Sequence, residues 1–411
     1  MVEHRTVDAV QNAANEAIIY QAEMQVEAIN EARKRRKVNR EIETESKADK
    51  EVDESDSISV IGFRRSLMYS VRVIGLQYCS KKLKDLNGIE RYYAKLSLNS
   101  IVDIHDDKYM ALLNLSDKAV EDLKARFKTS SLIIPKVNDI LIKAYKKAED
   151  MPYMQRYAYF TTNQFNHLGD NRIKMSIMAT IYKVLSHENS ILAKWKSASE
   201  WTLIVKIWSN IFESLFEDTA IDLVWGDTKN ELLKVDLRLC LNYGGKLYDL
   251  SNIEFKKNGN EQKLVKADSA KVLIEGKTIM NKLFEIYNVD FQEATKMKIV
   301  VGQACGLKLV FSELRLNAPG CYMPAQYGRT IKYPYNNQSA KTFGEKSLEQ
   351  LFCYKEMILE EARSLKSNLQ KDDSNFGSQS TIQEQTFVKR SYIIPDKAIK
   401  WPIVNDDFFK S

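Results

Sequence analysis

The feature that most constrains this chain is a series of apolar segments after residue 196, punctuated by glycine turns. Their order is helix, strand, strand, strand, helix, strand. An amphipathic helix is expected from Trp201 to Phe216, introduced by Ser197 and Glu200 at capping-box spacing. Ile221–Trp225 reads as a short strand closed by Gly226-Asp227, and Leu233–Leu241 as a second. Asn242-Tyr-Gly-Gly245 is a hairpin signal, leading into a third strand over Leu247–Lys257. A helix from Ala267 to Tyr287 follows. Gly302-Gln-Ala-Cys-Gly306 reads as a turn before a strand at Leu307–Leu316. A further strand covers Gly320–Gln326, and a last helix Ser347–Leu369.

The preceding region is different. Residues 61–195 read as mostly helical, with Ser116–Phe127, Val137–Ala148 and Met175–Leu185 carrying helical periodicity. Leu67–Leu76 and Tyr93–Ile101 are candidate strands. His105-Asp106-Asp107 suits a turn or helix cap better than a metal site, because adjacent residues on a strand point to opposite faces. Residues 1–60 contain neither Gly nor Pro. Val7, Val10, Ala14, Ala17, Met24, Ala28 and Ala32 form a thin stripe suited to an exposed helical arm or to self-association in a coiled coil. The run Arg33, Lys34, Arg35, Arg36, Lys37 is open to three readings: a solvated helix face, a nuclear-import signal, or phosphate contact. An acidic linker follows from Glu41 to Asp56. The expected division is therefore 1–60, 61–195, 196–335 and 336–411, the last being a helix and a mobile tail. The expected class is mixed α+β or α/β.

Composition narrows the chemistry. The 411 residues carry a net charge of only +6, so a nucleic-acid partner would have to meet a local patch. Five scattered cysteines and four scattered histidines make neither a CxxC nor an HExxH, which argues against a disulfide framework and a zinc site. The glycines form neither a P-loop nor a dinucleotide fingerprint. With no long apolar run and no signal-peptide pattern, the expectation is an intracellular protein that does not enter a membrane, nuclear rather than cytoplasmic if the basic run is read.

One constellation carries chemistry. Asp236 lies in the largely apolar run Leu232–Cys240. Glu254 and Lys256 share one face of the next strand, with Ile253 and Phe255 on the other. If those strands pair as a hairpin, Asp236 joins the Glu254 face. Two converging carboxylates invite a divalent cation. Mg²⁺ (or Mn²⁺) keeps several waters and needs few protein ligands.

Asp236…Glu254-Phe-Lys256, between two helices, resembles the core of the PD-(D/E)xK, or restriction-endonuclease-like, nuclease superfamily. Trp225-Gly-Asp-Thr228…Lys234-Val-Asp-Leu-Arg238 also resembles a group of fungal proteins without assigned activity. The resemblance covers about 140 residues, from roughly 196 to 335. It implies a metal-dependent nuclease acting on DNA or RNA, with Asp236 and Glu254 as metal ligands and Lys256 assisting the attacking water. No Pro precedes Asp236; Val235 stands there. Members often add an acid from the first helix. By helical angle Glu200 falls on the apolar side and is the better candidate, whereas Glu213 faces water. Asp227 is a rival to Asp236, although its place after Gly226 suits a turn. Lys257, Lys263, Lys266 and Lys271 are candidate phosphate contacts, and Lys277 extends that set. The alternative is a catalytically inactive nucleic-acid-binding or protein-interaction module assembled through the N-terminal helix.

Overall fold

The computed structural model describes residues 56–126, 132–135, 139–187, 190–229, 234–257, 262–374, 387–388 and 391. The arm, the basic run Arg33–Lys37 and most of the C-terminal tail lie outside these residues.

Seven helices of six residues or more precede residue 190 in the described chain: α1 (Asp56–Cys79), α2 (Gly88–Leu98), α3 (Asp107–Leu112), α4 (Asp117–Arg126), α5 (Asp139–Ala148), α6 (Tyr153–Asn163) and α7 (Gly169–Ser186). The two candidate strands here are corrected to α1 and α2. Leu67, Val71 and Ile74 are buried at steps of four and three, the period of a helix rather than a strand. Ile101, just beyond α2, does form a β-bridge, with Tyr322. The Asp106 side chain caps α3 by accepting from the backbone N–H groups of Lys108 and Tyr109.

The second half is mixed α+β, as anticipated. Helix α8 runs through Glu200–Leu203, a π turn at Ile204–Trp208, and Ser209–Leu215. Its buried stripe is Ile204, Ile207, Trp208, Ile211, Phe212 and Leu215. Strands β1 (Ile221–Lys229), β2 (Lys234–Tyr243) and β3 (Lys246–Lys256) form an antiparallel meander. Gly244 and Gly245 both take positive φ in the β2–β3 turn, as a tight hairpin requires. Helix α9 (Gln262–Tyr287) then crosses to β4 (Lys298–Cys305), which pairs with β3 in parallel. β5 (Lys308–Ala318), β6 (Cys321–Gln326) and the short β7 (Ile331–Lys332) complete the sheet; β6 and β7 both pair with β5. α10 (Asn337–Thr342) and α11 (Leu348–Ser374) close the described chain.

Two assignments in the sheet are corrected. Gly302 does not open a turn; it lies inside β4, paired with Ile253 and Phe311. A Cβ there would sit 3.0 Å from Ile253 Cγ1 and 3.2 Å from Phe311 Cε1, so the strand interior itself demands glycine. The turn is Gly306-Leu307, with Gly306 at φ +59°. Likewise Gly226 and Asp227 lie within β1, where the register with β2 shifts between Trp225 and Thr228.

Alternation on β3 decides which helix each side chain meets. Ser251 Oγ bonds Tyr354 Oη of α11, and the Phe255 ring lies against Phe212 of α8 and Trp225. On the opposite face, Asn252 donates to Glu275 and Glu254 accepts from Lys271, both on α9. Gly276 lets α9 come close, since a Cβ would meet Val301 Cγ1 at 3.0 Å.

The helical half is not separately cored. Its buried side chains and those of the sheet form one continuous cluster. The junction includes polar ties. Lys277, fully buried, donates to the Asn99 carbonyl at 2.9 Å and lies over the Tyr322 ring. Lys174 of α7 pairs with Glu349 of α11, both buried. Among the described residues no helix is long and apolar enough to cross a membrane.

Candidate functional site

The β2–β3 register ends at Leu237↔Ile253, and just beyond it Asp236 bonds the Phe255 backbone N–H and comes close enough to Glu254 for its charge to act on that carboxyl. This is the end of the sheet where the parallel pair β3–β4 terminates, with Lys256 opposite Cys305. Carboxyl ends of parallel strands are a recurrent place for ligand sites in α/β sheets.

Asp236 is oriented by the neighbouring strand. Its Oδ2 accepts from the Phe255 backbone N–H at 2.8 Å. Burial raises its pKa above the ordinary carboxylate range; the Phe255 N–H acts in the opposite direction, and the negative charge of Glu200 adds to the rise. Glu254 is 2% exposed. Burial, and then the Asp236 charge, push its carboxyl up to about 7, against the lowering effect of Lys271 and Lys256. Its Oε1 accepts from Lys271 Nζ at 2.9 Å and meets Lys256 Nζ at 3.2 Å. Its Oε2 is buried and has no hydrogen-bond partner among the described residues.

Glu200 reaches the same end of the sheet by a different route from the one its sequence position suggested. The cap of α8 is Ser199, whose Oγ accepts from Thr202 N at 3.1 Å, so Ser197 and Glu200 make no capping box. Glu200 is the first helical residue, and its Oε2 accepts from Lys257 N at 2.9 Å, clasping the end of β3. Glu213 is exposed, as its helical angle indicated, and accepts from Trp225 Nε1. Trp208 Nε1 donates to the Gly306 carbonyl and holds α8 over the β4–β5 turn.

Among the lysines offered to phosphate, Lys257 is exposed and Lys263 and Lys266 begin α9. The Asp227 side chain lies outside the described residues. Lys271 and Lys277 are corrected: both are buried and engaged, Lys271 with Glu254 and Lys277 with Asn99. The reason is that α9 lies along β3 and β4, so these positions face the sheet. One signal was present. Lys271 and Glu275 are charged residues four apart in the otherwise apolar stretch 270–275, which marks a buried polar stripe. Gln303 was missed because its strand was missed. It pairs in register with Glu254 and accepts from Ser269 Oγ at 2.7 Å.

Among the described residues no group of three or more His, Cys, Asp or Glu side chains is placed to hold a metal. A two-carboxylate site is what the geometry offers. The bare Glu254 oxygen beside Asp236, with both carboxyls resisting ionisation, fits a divalent cation that brings its own waters. Comparison with family models, with curated protein sequences and with solved structures finds no match for this chain.

Proposed function

We propose that the chain is a metal-dependent nuclease of the PD-(D/E)xK type, hydrolysing phosphodiester bonds of DNA or RNA. The observation that carries this reading is the meeting of Asp236, Glu254 and Lys256 at one end of the β2–β3 hairpin, with Glu254 Oε2 bare. A bound Mg²⁺ or Mn²⁺ supplies Lewis-acid polarisation of the phosphate and a more acidic water. Asp236 and Glu254 hold that ion. The Phe255 N–H fixes the Asp236 rotamer for this purpose. Lys256, about one-third exposed (32%), keeps its ammonium on Glu254, where it can orient a water and offset the charge developing on phosphate. Glu200 positions the end of β3 and adds negative charge near Asp236. Exposed Lys257 is the backbone-phosphate contact nearest in sequence to this group.

The same proposal assigns the Arg33–Lys37 run to nuclear import and the thin Ala/Val stripe to self-association. One observation favours the alternative, a binding module without catalysis: Glu254 already meets two lysines, so it has cationic partners without an ion. Incubating the full chain with supercoiled plasmid or with RNA, in Mg²⁺ or Mn²⁺ and with a chelator control, separates the readings. Metal-dependent nicking supports the nuclease. Retention of nucleic acid without cleavage supports the module.

A further inference from the structure

The Glu254 carboxylate is used unevenly. Oε1 meets two ammonium groups, while Oε2 is buried and, among the described residues, bare. The two lysines are held differently. Lys256 is on the same strand, and its side chain is 32% exposed. Lys271 comes from α9, and its side chain is 10% exposed. One turn further along, Glu275 of the same helix bonds Asn252, so α9 is tied to β3 at two successive turns. Lys271 therefore presents a fixed, poorly hydrated positive charge to the very carboxylate that an ion would use. Fixed charges at such separations interact strongly when water is excluded.

We propose that Lys271 is the resident counter-cation of this site. It holds Glu254 through Oε1 when no divalent ion is bound, and its charge limits how tightly Asp236 and Glu254 take that ion through the bare Oε2. The inference rests on the two-carboxylate ion site of the nuclease reading, but it concerns ion affinity rather than the reaction. The role differs from that of Lys256. Lys271 is too enclosed to act on solvent, whereas its removal leaves Glu254 in need of a cation.

The test is calorimetric titration of the full chain with Mn²⁺ alone at one fixed pH, comparing wild type with Lys271→Met, Lys271→Gln and Lys256→Met. Both Lys271 variants are expected to bind Mn²⁺ about tenfold or more tightly than wild type. In chelator they should melt lower than wild type, because Glu254 loses its enclosed partner and keeps only the partly exposed Lys256, and Mn²⁺ should raise their melting temperatures further than it raises that of wild type. Should Lys271→Met not fold, Lys271→Gln decides, since its amide still donates to Oε1 without the charge. Variants that bind as wild type does, or more weakly, overturn the inference and leave the nuclease reading standing. So does an equal gain in Lys256→Met. Binding in the Lys271 variants but not in wild type upholds the inference and removes the nuclease reading. Binding in none removes both.

Discussion

Replacing Glu254 by Gln should stabilise the metal-free protein above neutral pH. Its folded carboxyl sits at about 7, against 4.5 for the ordinary group. That difference corresponds to about 3 kcal/mol at saturation, and at 2% exposure solvent screening removes little of it. The sign follows from proton counting. Between 4.5 and about 7 the folded state binds more protons than the unfolded state. Stability is therefore greatest below the unfolded value, falls as pH rises to about 7, and is level above it. Asp236, also raised, contributes with the same sign. Glutamine imitates the protonated side chain and lacks this fall. The variant should match wild type near pH 4 and exceed it by about 3 kcal/mol at pH 8. Urea denaturation followed by tryptophan fluorescence, in chelator and at a series of pH values, measures the difference directly. A variant less stable than wild type at pH 8, or a difference independent of pH, would show that Lys271 and Lys256 already satisfy the carboxylate. The reasoning about a bare oxygen would then be refuted.

Three other outcomes are expected. Lys256→Ala should lower plasmid cleavage by about 100-fold or more while Mn²⁺ affinity measured by titration stays within a few-fold, since the lysine acts on water and phosphate; undiminished cleavage would exclude it from the reaction. Gly302→Ala should cost about 1–3 kcal/mol in chemical denaturation, because the added methyl meets Ile253 and Phe311 within 3.2 Å; a neutral result would mean that β3, β4 and β5 can spread. Lys174→Ala should cost about 3–5 kcal/mol by stranding buried Glu349, and the double variant Lys174→Met, Glu349→Leu should recover most of it.

The sequence by itself determined the helix, the three-strand meander and the following helix after residue 196. Glycine pairs at Gly244-Gly245 and the apolar stripe from Ile204 to Leu215 are local signals, and the backbone obeys them locally. Strand alternation likewise placed Glu254 and Lys256 together, and it allowed Asp236 to join them if the hairpin formed. What it did not determine was β4. Gly302 argues locally for a turn, and only the crowding between Ile253 and Phe311 makes a glycine necessary inside a strand. Losing β4 hid Gln303, the parallel neighbour of Glu254. It also hid the fact that α9 lies on the sheet, which turns Lys271 from a surface lysine into the partner of Glu254. The short runs after Leu67 and Tyr93 were ambiguous for the same reason: a few apolar residues suit either period until a neighbour covers one face. Local backbone preference is written in consecutive residues. Which charges are buried, and against what, depends on contacts between residues far apart in the chain, and those exist only once the helices are laid on the sheet.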